Sequence, residues 1–596
     1  MQLHSLDIAI IAGYILLTIG IGLYLYRRAA RNLDSYFLGE NSMPWYILGV
    51  SNASGMFDIT GTMWLVYLLF VYGLKSVWIP WFWPVFNQIF LMVYLSIWLR
   101  RSNVMTGAEW IKTRFGTGRG AILSHIIVVV FALVSVVGFL SYGFKGIGKF
   151  AAVFLPWDIS PDMYGLMFLS ITTIYVIAGG MYSVVVTEIL QFTVMTISSF
   201  IIGGIAMARV APETLKQVIP NGWENIFFGW RLDLDWSGLI DSVNAKIAND
   251  GWELFTIFFM MLLFKGILIS MAGPAPNYDM QRILATRNPK EAAKMSGLVS
   301  IVLMVPRYFM IAGLTVLALV YFSPELRAMG SDIDFEMILP FAIKNFIPVG
   351  LMGILLAGLL AAFMSTFAAT VNAAPAYIVN DIYKRFINPN ASNRTYILMS
   401  YSASFAVVII GISFGFIAES INTVTQWIVS ALWGGYTASN VLKWYWWRLN
   451  GYGYFWGMVF GIAAALVIPL LFPDMPPLNA FPIILVLSGI GCILFSLITK
   501  PDEEEVLKKF YATVRPWGFW HPIHEKVIKE NPDFKKNTNF KRDMFNVAIG
   551  IIWQTCLIAL PIYVVIKENT SILVTIAILG ISSLILKKNW YDKLEN

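Results

Sequence analysis

The chain has 596 residues, 58% of them apolar and 13% charged, with mean hydropathy +0.69. A soluble protein carries roughly a quarter charged residues. This composition therefore excludes a cytosolic enzyme, a disordered chain and a nucleic-acid-binding protein, and leaves an integral membrane protein. The net charge of +7 traces to short loops on one side of the expected bundle. Cys492 and Cys556 lie in apolar stretches and read as packed small hydrophobes, with no disulfide framework or metal site.

A spanning helix needs about 20 mostly apolar residues. About fifteen runs qualify, near residues 6–26, 45–73, 77–99, 121–154, 163–182, 186–209, 252–275, 296–322, 346–379, 396–417, 423–445, 453–472, 481–499, 544–565 and 571–586. No small-residue cleavage site follows the first run, so no cleavable signal is expected. None of the runs alternates as a barrel strand would, and the expected fold is an all-α membrane bundle. Arg27, Arg28 and Arg31 follow the first run, Arg100, Arg101, Lys112, Arg114 and Arg119 the third, and Arg282, Arg287, Lys290 and Lys294 the seventh. Lys384, Arg385, Arg394, Lys443 and Arg448, with the ten basic residues of 500–543, fall on the same side if spans alternate. That side is predicted to be cytoplasmic, in the plasma (inner) membrane, with the N-terminus outside and the C-terminus inside.

Two runs are interrupted where helices should be continuous. The second carries Ser51-Asn52-Ala53-Ser54-Gly55-Met56-Phe57-Asp58-Ile59-Thr60-Gly61-Thr62 in its middle, and the seventh ends in Ser270-Met271-Ala272-Gly273-Pro274-Ala275-Pro276-Asn277. Non-helical backbone at membrane depth has to line a cavity or be buried in protein. The interruptions lie five helices apart, so they run in opposite directions, which is the sequence mark of a secondary transporter with inverted repeats and a midplane site. The predicted organisation is an extra helix and loop over 1–44, repeat one over 45–209, an extracellular loop over 210–251 and repeat two over 252–445. Additional helices follow over 446–499, then a cytoplasmic loop over 500–543 and two C-terminal helices over 544–596.

Several motifs resemble the sodium/solute symporter family over roughly residues 1–470, with its LeuT-type 5+5 inverted-repeat fold. They are Asp34-Ser35-Tyr36-Phe37-Leu38-Gly39 with Met43-Pro44-Trp45, Thr106-Gly107-Ala108-Glu109-Trp110 with Arg114-Phe115-Gly116, and Gly179-Gly180-Met181 with Val184–Gln191. Gln281-Arg282, and Ala361–Thr366 leading to Asn372 and Asp381-Ile382-Tyr383-Lys384, complete the set. The resemblance implies sodium between the first interrupted helix and the eighth core helix. Its ligands would be the carbonyls of Met56, Ile59 and Ala362 and the hydroxyls of Ser365 and Thr366. Carbonyls and hydroxyls suit a small hard cation without adding fixed charge. Read from the residues alone, Ser365 and Thr366 could equally bond back to their own helix. A second sodium site of some relatives uses an Asp where this chain has Glu188, and hydroxyls where it has Ala368 and Ala369. The resemblance therefore implies one sodium per cycle, with Asp58 and Glu188 as supports.

Ionisable residues at membrane depth mark function. Asp58 either strengthens the cation site, holds the break by accepting N–H groups, or only caps the second half-helix. Lys265 sits at the corresponding depth of the other interrupted run. It is read as pairing with Asp58, as holding an anionic solute, or as snorkelling to the surface; Lys145 and Arg307 share the ambiguity. Trp64, Lys75, Trp78, Trp81 and Trp83 form either an interface belt or a solute vestibule. The sugar contacts of family members fall on Met63, Ile269 and about Leu303, none of them polar enough for a galactose-like mode. Met63, Trp64, Lys265 and Ile269 are the candidate solute residues. The 500–543 loop reads as an amphipathic segment lying along the bundle. The partners expected are a small organic solute (sugar or polyol, amino acid, or organic acid) and the bilayer, with no nucleic acid or obligate protein partner. A sensor would need an output domain, a channel a continuous pore, and an enzyme a nucleophile–base set or metal motif; the sequence displays none of these.

Overall fold

The computed structural model describes residues 3–29, 38–82, 87–155, 157–250, 254–274, 278–330, 338, 347–417, 434–472, 475 and 477–595. Among them the regular structure is helical, with one isolated bridge between Trp446 and Phe519. In chain order the helices begin with α1 (Ser5–Ala29), α2 (Trp45–Met56), α3 (Ile59–Tyr72), α4 (Asn87–Phe90), α5 (Ser96–Arg101), α6 (Gly107–Phe115) and α7 (Arg119–Phe154). Next come α8 (Pro161–Arg209), α9 (Pro212–Lys216), α10 (Asp241–Asp250), α11 (Phe255–Met271), α12 (Tyr278–Leu284), α13 (Pro289–Met329) and α14 (Leu351–Pro375). The chain closes with α15 (Asn393–Ile417), α16 (Gly435–Tyr445), α17 (Gly451–Leu471), α18 (Pro477–Ile498), α19 (Glu504–Val514), α20 (His521–Glu530), α21 (Phe540–Ile566) and α22 (Asn569–Asn589).

Eleven helices among the described residues are long and apolar enough to cross a membrane, against about fifteen runs counted in the sequence. The other four runs are accounted for individually. The 77–99 run is a 3-10 stretch over Gly73–Phe82 followed by α4, a π-helical turn over Leu91–Leu95, and α5. The 163–182 and 186–209 runs share the 49-residue α8, whose contour of about 74 Å is long enough to serve both. The 252–275 run is the 17-residue α11; of the 423–445 run, 423–433 lies outside the described residues and the rest is essentially α16.

Burial separates centre from rim. The spanning window of α3 is 89% buried, that of α14 83% and that of α13 78%, whereas α1 is at 22% and α22 at 17%. Rim helices expose leucines such as Leu16, Leu573 and Leu584. A helix that satisfies its own backbone can do so in lipid, but an interrupted one cannot. The long 210–250 segment seals one end of α3, where Trp223 Nε1 donates to the Phe70 carbonyl and Trp236 Nε1 to that of Val71 (both 3.1 Å). Lys75 donates to Gly222 O (2.7 Å) and Trp78 Nε1 to Ile226 O (3.0 Å). These two residues hold that loop, which neither the belt nor the vestibule reading anticipated; Trp83 and the side chain of Trp81 lie outside the described residues.

Candidate functional site

Both interruptions are present. Helix α2 ends at Met56, Phe57 (ψ 71°) and Asp58 (ψ 152°) leave the helical region, and α3 starts at Ile59. The Asp58 carboxylate caps α3 by accepting from the Gly61 N–H (Oδ2, 2.6 Å), satisfying a donor that the break orphans. The same carboxylate accepts from Tyr142 Oη on α7 (3.0 Å) and from Arg307 Nη2 on α13 (2.9 Å). Arg307 Nη1 donates to the Met56 carbonyl (3.0 Å), and the guanidinium lies 5.7 Å from the centre of the Phe57 ring. One cation thus ties the C-terminal end of α2 to the cap of α3. The side chains of Arg307 and Asp58 are only 10% and 17% exposed, so neither charge is left to water. Gly61 makes this closeness possible, since a Cβ there would sit 2.5 Å from Asp58 Oδ1 and 2.8 Å from Arg307 Nη2.

The hydroxyl pair of α14 faces the same break. Ser365 Oγ donates to Ser54 Oγ (2.8 Å), and Thr366 Oγ1 donates to the Gly55 carbonyl (2.8 Å) and also reaches its own helix at Ala362 O (3.2 Å). The back-bonding alternative therefore holds only in part for Thr366. Asp58, Ile59, Thr60, Tyr142, Thr366 and Thr370 line a small cavity together with Phe363 and Phe367. Of the five residues expected around sodium, Ile59 and Thr366 meet at this cavity. Ser365 sits on Ser54 and Ala362 on Thr366, whereas the Met56 carbonyl is held by Arg307.

The reading that pairs Lys265 with Asp58 is corrected by Arg307, which takes that place. Lys265 is 1% exposed, with Nζ 5.3 Å from the centre of the Phe481 ring on α18. It is packed inside protein and does not snorkel. Lys145 pairs with Asp162 (2.8 Å) at the end of α7. Met63 is buried one turn beyond the break with Trp64 half-buried beside it, and Ile269 is buried in the last turn of α11, where its carbonyl accepts from Ala272 N. The two breaks are linked through Asp279, whose Oδ1 accepts from Asn52 Nδ2 (2.7 Å) and Gln88 Nε2 (3.2 Å).

Motif residues found separately in the sequence turn out to hold one another. Glu188 is engaged by Arg282 and by Ser51, and Arg282 Nε also reaches Ser51 Oγ (3.0 Å). Asn372 donates to Gln281 (3.4 Å) and Thr106 to Asp381 (2.7 Å). Thr106 caps α6 by accepting from the Glu109 N–H (3.0 Å), and the Glu109 carboxylate reaches back to accept from the Met105 amide (2.9 Å). Arg307 announced itself only as a charge in an apolar run. Tyr142 and Asp279 carried no signal that marked them out.

Two opposed interrupted helices, a cavity at one break and hydroxyls turned toward it define a secondary transporter of the inverted-repeat type. A family model described as the sodium:solute symporter family matches residues 36–461, and the chain belongs to that family. It is accordingly a multi-pass membrane transporter that uses sodium and a small solute. It is 27% identical to a sodium/mannose cotransporter of Bos taurus (80% of this chain, 81% of that one). It is also 25% identical to sodium/glucose cotransporter 4 of Danio rerio (89% and 83%) and 25% identical to sodium/myo-inositol cotransporter 2 of Mus musculus (78% and 70%). Among solved structures, a Na+-coupled sialic acid symporter in a substrate-bound outward-open state shares the fold, with TM-score 0.66 at 16% identity. That match covers 84% of this chain and 99% of the other.

Proposed function

We propose that the chain imports a small organic solute together with one sodium ion by alternating access. The observation that carries this is the break at Phe57–Asp58 with the Ser365 and Thr366 hydroxyls turned onto it. Sodium would be held by those hydroxyls and the Ala362 carbonyl from α14, and by the carbonyls of Ile59 and Met56 from the break. The Met56 carbonyl already accepts from Arg307 Nη1 and has one lone pair left to offer. A neutral set of carbonyl and hydroxyl oxygens suits a small hard cation. The stoichiometry of one is supported by Glu188, already engaged by Arg282, and by the methyl side chains of Ala368 and Ala369. The solute is placed at the cavity beside Asp58, where carboxylate, hydroxyls and aromatic faces converge. The Asp58–Arg307 pair neutralises itself, so a neutral polyhydroxylated solute fits better than a charged one. The names of the mannose, glucose and myo-inositol relatives point the same way, although Met63, Ile269 and Leu303 imply different polar contacts. The basic loops support a cytoplasmic position for residues 500–543.

Uptake into proteoliposomes across a panel of sugars, polyols, amino acids and organic acids, with sodium or potassium outside, tests the reading. Accumulation of one hydroxylated solute in sodium alone is expected; equal accumulation in potassium would overturn the sodium coupling.

A further inference from the structure

The second break leaves carbonyls that its own helix does not satisfy. Helix α11 ends at Met271, and beyond it the Ala272 and Gly273 amides turn back onto the carbonyls of Leu268, Ile269 and Ser270. The carbonyls of Met271, Ala272 and Pro274 point elsewhere, and α16 meets all three. Tyr445 Oη donates to Met271 O (3.0 Å), Trp444 Nε1 to Ala272 O (3.0 Å) and Tyr436 Oη to Pro274 O (3.1 Å). In a membrane bundle such groups must find partners in protein, so the position of α16 decides whether the break is satisfied.

The 500–543 segment grips α16 at the same residues. Trp520 Nε1 donates to the Trp444 carbonyl (2.8 Å), the Phe519 amide to the Tyr445 carbonyl (2.7 Å), and the Trp447 amide to the Phe519 carbonyl (3.2 Å). The Trp517 ring stacks on that of Tyr445 with centroids 5.0 Å apart. Trp444, Trp517 and Trp520 are all buried. Gly518 (φ +130°) approaches so closely that a Cβ would lie 2.6 Å from the Tyr445 carbonyl. On its other side the segment is tied to repeat one, through Arg101 Nη1 on the Val514 carbonyl (3.0 Å) and Trp517 against Trp98 (5.1 Å).

We infer that the 500–543 segment is a positioning element for the second helix break, acting through Trp444 and Tyr445. The two aromatic residues present backbone carbonyls to the segment and side-chain donors to the break, so a displacement on one side is passed to the other in a single step. Their role holds whichever solute or ion is carried. A segment lying passively along the bundle would instead leave the break unchanged when loosened.

Hydrogen–deuterium exchange on the full-length protein in detergent micelles tests this with two variants. Trp520→Phe keeps an aromatic ring in place while removing the Nε1–H along with the rest of the indole's five-membered ring, and Gly518→Ala wedges the turn away from Tyr445. Each is expected to speed exchange of the Ser270–Gly273 amides by about fivefold, the worth of one net hydrogen bond, while amides of α21 stay at the wild-type rate. A general loss of stability would move both sets together and would count against the inference. So would faster exchange within α19 and α20 with Ser270–Gly273 unchanged. If the wedge variant does not fold, Trp520→Phe decides alone. Tyr445→Phe checks the last link: it should speed exchange at Ser270–Gly273 and leave α19 and α20 as they were, and the reverse pattern would overturn the route.

Discussion

At Thr366 one hydroxyl donates to the Gly55 carbonyl across the break and to Ala362 in its own helix. Replacing it with valine keeps the shape and removes the oxygen. Thr366→Val and Ser365→Ala are each expected to raise the sodium concentration for half-maximal thermal stabilisation by about tenfold or more, with Thr366→Ser near wild type. An unchanged sodium titration would remove both residues from the site. Arg307 makes a different prediction. Arg307→Met strands the Asp58 carboxylate in a mostly buried setting, so a loss on the order of 2–3 kcal/mol is expected in unfolding measurements. The double variant with Asp58→Asn should recover most of it, because the stranded charge is gone. A double variant no more stable than Arg307→Met would show that the guanidinium matters through packing alone.

At the scale of the helix, α2 and α3 end and begin where they do because Asp58 caps α3 and Gly61 leaves room for it. Gly61→Ala is expected to cost about 1–3 kcal/mol through overpacking and to cut sodium-dependent uptake by about tenfold. Gly204→Ala, on α8 with nothing within 4 Å of the added carbon, serves as the neutral comparison; equal uptake by the two variants would end the argument. The break itself was legible in the sequence, because Ser51, Asn52, Ser54, Gly55, Asp58 and Thr60 clustered within one span have no place in a lipid-facing helix. Its cationic partner was not. Depth counting placed Lys265 at the matching height, but which way a helix turns a side chain depends on packing that a linear count does not contain.

Over the whole molecule, the segment after α18 joins α5 and α6 to α16, and Asp502 sits in that junction. Its carboxylate lies 3.8 Å from Arg114, which burial holds down at about 10. Burial pushes Asp502 up to about 7, against the pull of Arg114, Arg448 and the Gly451 amide and with a push from Glu503. A carboxyl raised in the fold holds more protons there than in the unfolded chain. Its contribution is therefore fully present below the ordinary pKa of 3.8 and is lost as pH rises through about 7. Docking of α19 and α20, followed by limited proteolysis, is expected to loosen as pH rises from about 4 to about 7 in the wild type and to change little above that. Asp502→Asn should flatten the profile; a variant that keeps the slope would assign it to another group.

Composition and the two interruptions were enough to establish a membrane transporter with opposed repeats, because hydrocarbon tolerates so few backbone solutions that each departure from an apolar helix is informative. The adjacent hydroxyls of Ser365 and Thr366 were marked out only by the resemblance to the family, since hydroxyls on a membrane helix routinely bond back to their own carbonyls. Which carbonyl each hydroxyl meets, that Arg307 and not Lys265 closes on Asp58, and that Trp444 and Tyr445 link the 500–543 segment to the second break were decided only in three dimensions. Those contacts join residues far apart in the chain, and their geometry follows from how helices rotate and pack against one another.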